Sequence, residues 1–474
     1  MIRLLDEPDR NLRMSLSENR FLPRCRARRR AFRGHALPLF KGFAASIEGM
    51  AGQPVITSQP ATDGILRRMA HGLDALTPAL ENPRDREFFR DLTWLAVVMF
   101  AIAAIGYLAT VNWSTAFPRD SSTLIVGRDF LNIWMYGRAA LEPDPGRFYD
   151  IATYNRELEA LLGPGYPGQN WPNPPSFFLI SLPFGALSFY TALWCWLALG
   201  VAMFVAAARR DVADWHVLIP VVFSPAAMFC VISGQSSFLS GAALIMIFVW
   251  LDRRPILAGV LIGLLTVKPQ LGLLFPFMLA ASGRWRVFGS AAVTAMALVA
   301  LSAVLFGPQV WVDFVTKSLP NQREVLSDPS VLTAPFHATV FMNLRGLGAS
   351  YDLGVAVQGV FALLAIGAVM WAFRFAGDRD AGELRALFLA CAACTSPYLG
   401  IYDLLPLTFA AVALLGSGRL DQSGRRLVQL VFWLPVLQLA FGELRIPGPA
   451  LIAPAFAAYL LIRLKARPAP VALA

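Results

Sequence analysis

Charge is scarce in this sequence. Only 15% of its 474 residues are Asp, Glu, Lys or Arg, whereas 56% are hydrophobic and the mean hydropathy is +0.55. A soluble domain has no interior large enough for that much apolar surface, so the composition calls for a chain that crosses a membrane many times. There is no GxGxxG fingerprint, Walker motif, nucleophile elbow, HExxH or paired-cysteine metal pattern. Soluble nucleotide chemistry is thereby left without a basis, and neither a metal nor a cofactor is expected. Histidine occurs four times and cysteine five. Cys391 and Cys394 form a CxxC, but inside an apolar run, where small buried hydrophobes are the expectation. The two halves share no matching pair of broken helices, which weighs against a secondary transporter. The net charge of +10 does not point to nucleic acid, because the basic residues fall in short clusters between apolar segments.

Those clusters orient the chain. Residues 1–90 read as a basic, largely disordered cytoplasmic extension with the run Arg24-Cys25-Arg26-Ala27-Arg28-Arg29-Arg30. No apolar core links that run to a cleavage site, so it is not a secretory signal. Met50 and Met69 both precede the first span, and a start at either would leave the membrane part whole. Further clusters lie at Arg209/Arg210, Arg253/Arg254, Arg284/Arg286, Arg374/Arg379/Arg385, Arg419/Arg425/Arg426 and Arg463/Lys465/Arg467, whereas the short turns between them hold only Lys268 and Arg445. Short cytoplasmic loops are basic, so all six clusters belong on one side.

The expected fold is therefore an all-α polytopic membrane protein of about twelve transmembrane helices, with both termini cytoplasmic. Its membrane domain spans 91–466 and is followed by a tail at 467–474. A long first extracytoplasmic loop, 113–173, contains juxtamembrane helices and leads into a membrane-dipping helix from Pro174 to about Leu187. A second long external loop spans 307–351. Lys268-Pro269 splits the apolar run 256–282 into two segments of about a dozen residues, each short for a crossing.

Polar residues gather on the external side. Asp129 lies in Gly127-Arg128-Asp129-Phe130-Leu131-Asn132, with Tyr136 beyond. A carboxylate at the mouth of a bundle can act as a general base, or it can pair with Arg128 or cap the following helix. Lys268, at an apolar helix break, suits a phosphate anion or snorkels to the interface. Gln235 follows Ser233-Gly234 in a turn, and Tyr402-Asp403 follow Ser396-Pro397 in another. Tyr149 can stack on a sugar or anchor an interfacial helix, while Arg323, His337 and Arg345 are available as anion contacts in the second long loop.

The order of Gly127-Arg128-Asp129-Phe130, Tyr149-Asp150, Pro174-Pro175, Gly234-Gln235, Arg253-Arg254, Lys268-Pro269-Gln270 and Ser396-Pro397 resembles glycosyltransferase family 87 over about residues 95–440. The resemblance implies a type-C glycosyltransferase fold and an inverting transfer of a hexose, mannose by analogy, from a polyprenyl-phosphate donor to an envelope glycolipid or glycan. It implies Asp129 as the catalytic base and Lys268 and Arg345 as contacts to the donor phosphate. Arg128, Asn132, Tyr136, Tyr149, Gln235, Tyr402 and Asp403 would contact sugar or acceptor. The site would face outward from a plasma (inner) membrane, with membrane lipid but no nucleic acid as partner. Two positions depart from the family pattern. Asn173 stands where many members have Tyr, and Tyr402 where a His is expected. An oligosaccharide ligase or polymerase, a lipid-linked glycan flippase and a non-catalytic scaffold are the competing functions.

Overall fold

The computed structural model describes residues 80–328, 334–376 and 380–466. Most of the expected amino-terminal extension, the tail 467–474, Arg379 and Arg467 lie outside the described residues. Among the described residues the chain is helical and has no β-strand; its only ladder pairings are isolated bridges such as His337 with Gly400.

Helix α1 (Pro83–Thr110) begins about two turns before the expected start of the membrane domain. Asn82 caps it by accepting from the Arg84 N–H, and Pro83 supplies a first-turn residue that needs no donor. The segment after it, expected as the first external loop, holds α2 (Phe130–Ala139) and α3 (Ile151–Leu162). Short α4 (Phe177–Gly185) follows where the dip was expected, and α5 (Phe189–Asp211) returns through the apolar layer. Next come α6 (Leu218–Val222) and α7 (Pro225–Ser233), bent by 57° at the break between them. The cause is local: Ser224 caps α7, and Pro225 has no N–H to continue the preceding helix.

The remaining helices are α8 (Ser237–Trp250), α9 (Pro255–Leu264), α10 (Phe275–Ala281) and α11 (Trp285–Phe306). Helices α12 (Gln309–Asp313), α13 (Leu319–Ser327) and α14 (Val340–Gly346) lie in the segment expected as the second external loop. The chain ends with α15 (Tyr351–Phe375), α16 (Ala381–Thr395), α17 (Leu405–Gly416), α18 (Gln422–Glu443) and α19 (Ile452–Ala466).

Among the described residues five helices are long and apolar enough to cross a membrane, or six if the bent α6–α7 pair is one span. Much of the remaining apolar chain is broken into shorter pieces. Helix α8 has 14 residues, while α9 and α10 have 10 and 7, against the twenty or so that span a bilayer unaided. The chain reverses at Lys268, since Arg284 meets Asp252 at 2.9 Å and joins the two ends of the α9–α10 hairpin.

Two features fix the ends of the helices. At one end, ion pairs link Arg425 to Asp85, Arg385 to Asp211, Arg463 to Glu383 and Arg419 to Asp380. They tie the start of α1 to the start of α18, and the start of α16 to the ends of α5 and α19. Asp85 and Glu383 are almost fully buried, so removing either arginine would strand a carboxylate. At the other end, Trp171 is the hub of an aromatic cluster. Tyr136 stacks on it with centroids 3.7 Å apart and planes 12° from parallel, while Phe148 and Tyr154 meet it edge-on. Each such contact contributes about 0.5–1.5 kcal/mol beyond area burial. The tilted Phe130–Phe189 pair carries this cluster onto the start of α5.

Helix α2 lies against α4 at backbone distance. A Cβ on Gly137 would run into the Ser181 carbonyl, and one on Gly185 into the Gly137–Arg138 backbone. Only glycine permits this approach, and it sets where the amino end of α2 points. Gly185→Ala should lower the melting temperature in detergent, because overpacking of this kind costs about 1–3 kcal/mol. An unchanged melting profile would show that the two helices part freely.

Candidate functional site

The site begins with two turns set back to back. Helix α7 ends at Gly234 in the left-handed conformation (φ 72°), which lets the chain turn sharply toward Gln235. A Cβ there would sit 2.5 Å from the Phe130 Cβ, so glycine is also needed for the contact with α2. The Asp129 N–H donates to the Ser233 carbonyl at 2.9 Å, locking one turn to the other. From the outer side, Gln169 Nε2 donates to the Arg128 carbonyl at 2.8 Å.

Asp129 occupies the N-cap position of α2 but makes no side-chain cap. Nor does it form an ion pair with Arg128 among the described residues. Its Oδ2 accepts instead from Gln235 Nε2 at 3.1 Å, and the same nitrogen donates to the Tyr402 hydroxyl at 3.1 Å. Both bland roles open to this aspartate from sequence are thus unfilled. Burial raises the Asp129 carboxyl above its ordinary range; the Arg128 charge and the Gln235 hydrogen bond pull the other way. The net direction is upward, toward a more basic carboxylate.

Lys268 lies at the apex of the α9–α10 hairpin and reaches Asp403 at 2.5 Å. Asp403 also accepts from the Ser237 hydroxyl at 2.7 Å, and its side chain is only 2% exposed. The Lys268 ammonium lies 5.5 Å from the centre of the Tyr402 ring. Three helix junctions, those after α7, α9 and α16, therefore meet through a continuous polar network.

These residues line a cavity of about 490 Å³. One part is polar, with Arg128, Asp129, Asn132, Gln235, Lys268 and Asp403 in its wall and His337 and Tyr402 beside them. Another part is apolar, with Trp196, Met203, Leu239, Ala243, Leu261 and Leu264 from α5, α8 and α9. Val325 and Leu326, at the end of α13, add to the wall.

Three expected site residues stand elsewhere. Tyr136 and Tyr149 are buried in the Trp171 cluster, and both hydroxyls donate to the Asn173 carbonyl at 3.0 Å. They hold the backbone of Asn173, whose residue does line the cavity; an aromatic in a loop needs a core before it can offer a face to sugar. Arg345 is buried in α14, where its guanidinium donates to the Ala349 and Ser327 carbonyls at 2.6 and 2.7 Å. Its charge closes the end of that helix and does not line the cavity. Asn132 lines the cavity, yet its amide already donates to the Asn170 carbonyl at 3.0 Å and accepts from Tyr154. Ser237 was not anticipated; only its position one turn after Gly234-Gln235 hinted at it.

The Lys268–Asp403 pair carries a clear energetic expectation. Lys268→Ala leaves a buried carboxylate without its partner, and such losses cost about 3–5 kcal/mol. The double variant Lys268→Ala/Asp403→Ala should melt above the single one. A double variant no more stable than the single would mean that the pair is not what holds the hairpin apex.

Comparison with curated proteins and with solved structures returned no match. A family model does match, over residues 171–397, a narrower range than the sequence resemblance covered. The matched stretch contains Asn173, Gln235, Lys268 and His337; Asp129 precedes it, and Tyr402 and Asp403 follow it. The cavity is thus built around the α7–α8 turn and the α9–α10 hairpin, both inside the stretch that matches the model of glycosyltransferase family 87.

Proposed function

We propose that the cavity transfers a hexose, with mannose the first to test, from a polyprenyl-phosphate donor to an envelope glycolipid or glycan, with inversion at the anomeric carbon. One observation carries the proposal. Asp129 is a carboxylate with neither an ion pair nor a capping bond, in a cavity whose wall holds both polar and apolar residues. The apolar part suits a prenyl chain arriving from the bilayer; the polar part suits a sugar and its acceptor. In the transfer, the acceptor hydroxyl gives its proton to Asp129 as its oxygen forms a bond to the anomeric carbon. The bond from that carbon to the phosphate oxygen breaks, and the electron pair leaves with polyprenyl phosphate. Phosphate is a good leaving group without further help, so the main requirement is a base beside the acceptor.

The proposed setting is a plasma (inner) membrane, with about twelve crossings or part-crossings in a type-C arrangement. The ends held by the Arg425–Asp85 and Arg463–Glu383 pairs would be cytoplasmic and the cavity external. Support comes from the helix directions: α5, α16, α17 and α18 each have one end among the ion pairs, and Tyr402 and Asp403 lie between the other ends of α16 and α17. Basic residues at the tied ends agree with a cytoplasmic placement. Reporter fusions at Arg209, Arg253, Arg284 and Arg425 should report inside and a fusion at residue 150 outside. Opposite sides for Arg253 and Arg284 would overturn the hairpin topology.

Asp129→Asn keeps the shape and removes the basicity. With a synthetic polyprenyl-phosphate mannose and matched concentrations of purified protein, turnover should fall by about 10²–10⁴ at unchanged thermal stability. Near-wild-type turnover in this variant would sink the mechanism. The pH profile adds a second measurement. Because burial raises the carboxyl, the base form is lost as pH falls through that raised value. The acid limb of kcat in the wild type should therefore lie above the ordinary carboxylate range, and the residual activity of Asp129→Asn should lack it.

A further inference from the structure

Among the described residues, four Asp, Lys or Arg side chains line the cavity: Arg128, Asp129, Lys268 and Asp403. They are not equivalent. The Lys268 charge is already matched, at 2.5 Å, by Asp403, and drawing it away would leave that buried carboxylate uncompensated. Arg128 differs: its guanidinium has no hydrogen bond or ion pair to any other described residue, and the residue is only half-buried. Its backbone is nonetheless held, by Gln169 at its own carbonyl and by the Asp129–Ser233 bond beside it. An immobilised main chain thus presents to the cavity a cation that has no hydrogen-bonded partner and acts only through its charge, on Asp129 beside it.

A second feature lies at the same place. Arg128 immediately precedes the first turn of α2, a helix of 10 residues, and that turn lines the cavity through Asn132 and Ile133. No side chain caps it. The start of a helix carries a partial positive charge and unsatisfied N–H groups, which favour an anion. Asp129, the residue in the capping position, has turned its carboxylate to Gln235 instead.

We propose that Arg128, together with the uncapped start of α2, is the phosphate anchor of the cavity, and that Lys268 serves to hold the hairpin apex through Asp403. A guanidinium meets a phosphate through two parallel N–H bonds, a geometry that an ammonium does not offer. The inference rests on the reading of the cavity as a sugar-transfer site, and it adds a link between donor and base. A phosphate on Arg128 brings negative charge toward Asp129, which raises the affinity of that carboxylate for the acceptor's proton. The shared chemistry is a phosphate group. Two sources present it: the lipid phosphate of the donor, or a phosphate borne by the acceptor sugar.

Equilibrium binding to the purified full chain in detergent separates these and needs no turnover. The probes are farnesyl phosphate, farnesol as its uncharged counterpart, and mannose 6-phosphate. Arg128→Gln should weaken farnesyl phosphate by roughly ten- to a hundredfold and leave farnesol unchanged, while Arg128→Lys should fall between Gln and wild type. If mannose 6-phosphate weakens in place of farnesyl phosphate, the anchor serves a phosphate on the acceptor and the proposal holds with that source. If neither phosphate probe is affected, or if farnesol weakens in parallel with farnesyl phosphate, the anchor assignment is wrong. Thermal melting of both variants guards against misfolding: Arg128→Lys, which keeps the charge, must still bind if the fold is intact. Sugar transfer by wild type with no Arg128 effect on either phosphate would overturn the anchor alone. An Arg128-dependent phosphate site in a protein that transfers no sugar would overturn the proposed function and leave the anchor standing.

Discussion

The Lys268–Asp403 ion pair holds the centre of this molecule together. It closes at the apex of a hairpin whose limbs are too short to cross a bilayer unaided. Without a partner there, a lysine at that depth would be a costly charge. With Asp403 and Ser237 it becomes a fixed point joining three junctions that are far apart in sequence. Tyr402 lies between this pair and the Gln235 amide that also holds Asp129, so the carboxylate and the ion pair share one structural support. Buried pairs contribute little net stability compared with apolar packing; here the pair sets which junctions meet.

The rest of the architecture serves the same placement. Ion pairs draw the helix ends together on the side away from the cavity. On the cavity side, the Trp171 cluster turns an otherwise polar segment into a folded platform, and the approach of Gly137 and Gly185 presses that platform against α4. The amino end of α2 emerges from this platform at the cavity wall.

Much of the cavity was legible in the sequence, for a physical reason. In a chain so poor in charge, a polar residue at a turn between apolar runs has few places to go, and turns on the same side of the membrane can share a site. Asp129, Gln235, Lys268, Tyr402 and Asp403 were all readable in this way, and the structure brings them together. Arg345, Tyr136 and Tyr149 were not, because residue type does not reveal which way a side chain faces. A loop arginine serves an anion and a helix carbonyl equally well, and Arg345 serves carbonyls. The early start of α1 was hidden for a related reason: polar Asp85 looks like part of an exposed extension until Arg425, 340 positions later, is set against it. The break between α6 and α7 also went unread, although Ser224-Pro225, a cap followed by a residue with no donor, is its local cause.

The amide of Gln235 has one nitrogen and two hydrogens, and both are committed: one to the Asp129 carboxylate, the other to the Tyr402 oxygen. Since that phenol oxygen receives a hydrogen from Gln235, its own hydrogen is left to point elsewhere, and Tyr402 borders the open space. The carboxylate oxygen that Gln235 does not touch keeps its lone pairs for a donor from the cavity. A single side chain thereby sorts the two neighbours into complementary roles, one oxygen that takes a hydrogen and one that offers it. A glutamate at this position could not do the same, because an ionised carboxylate has no hydrogen to give to either.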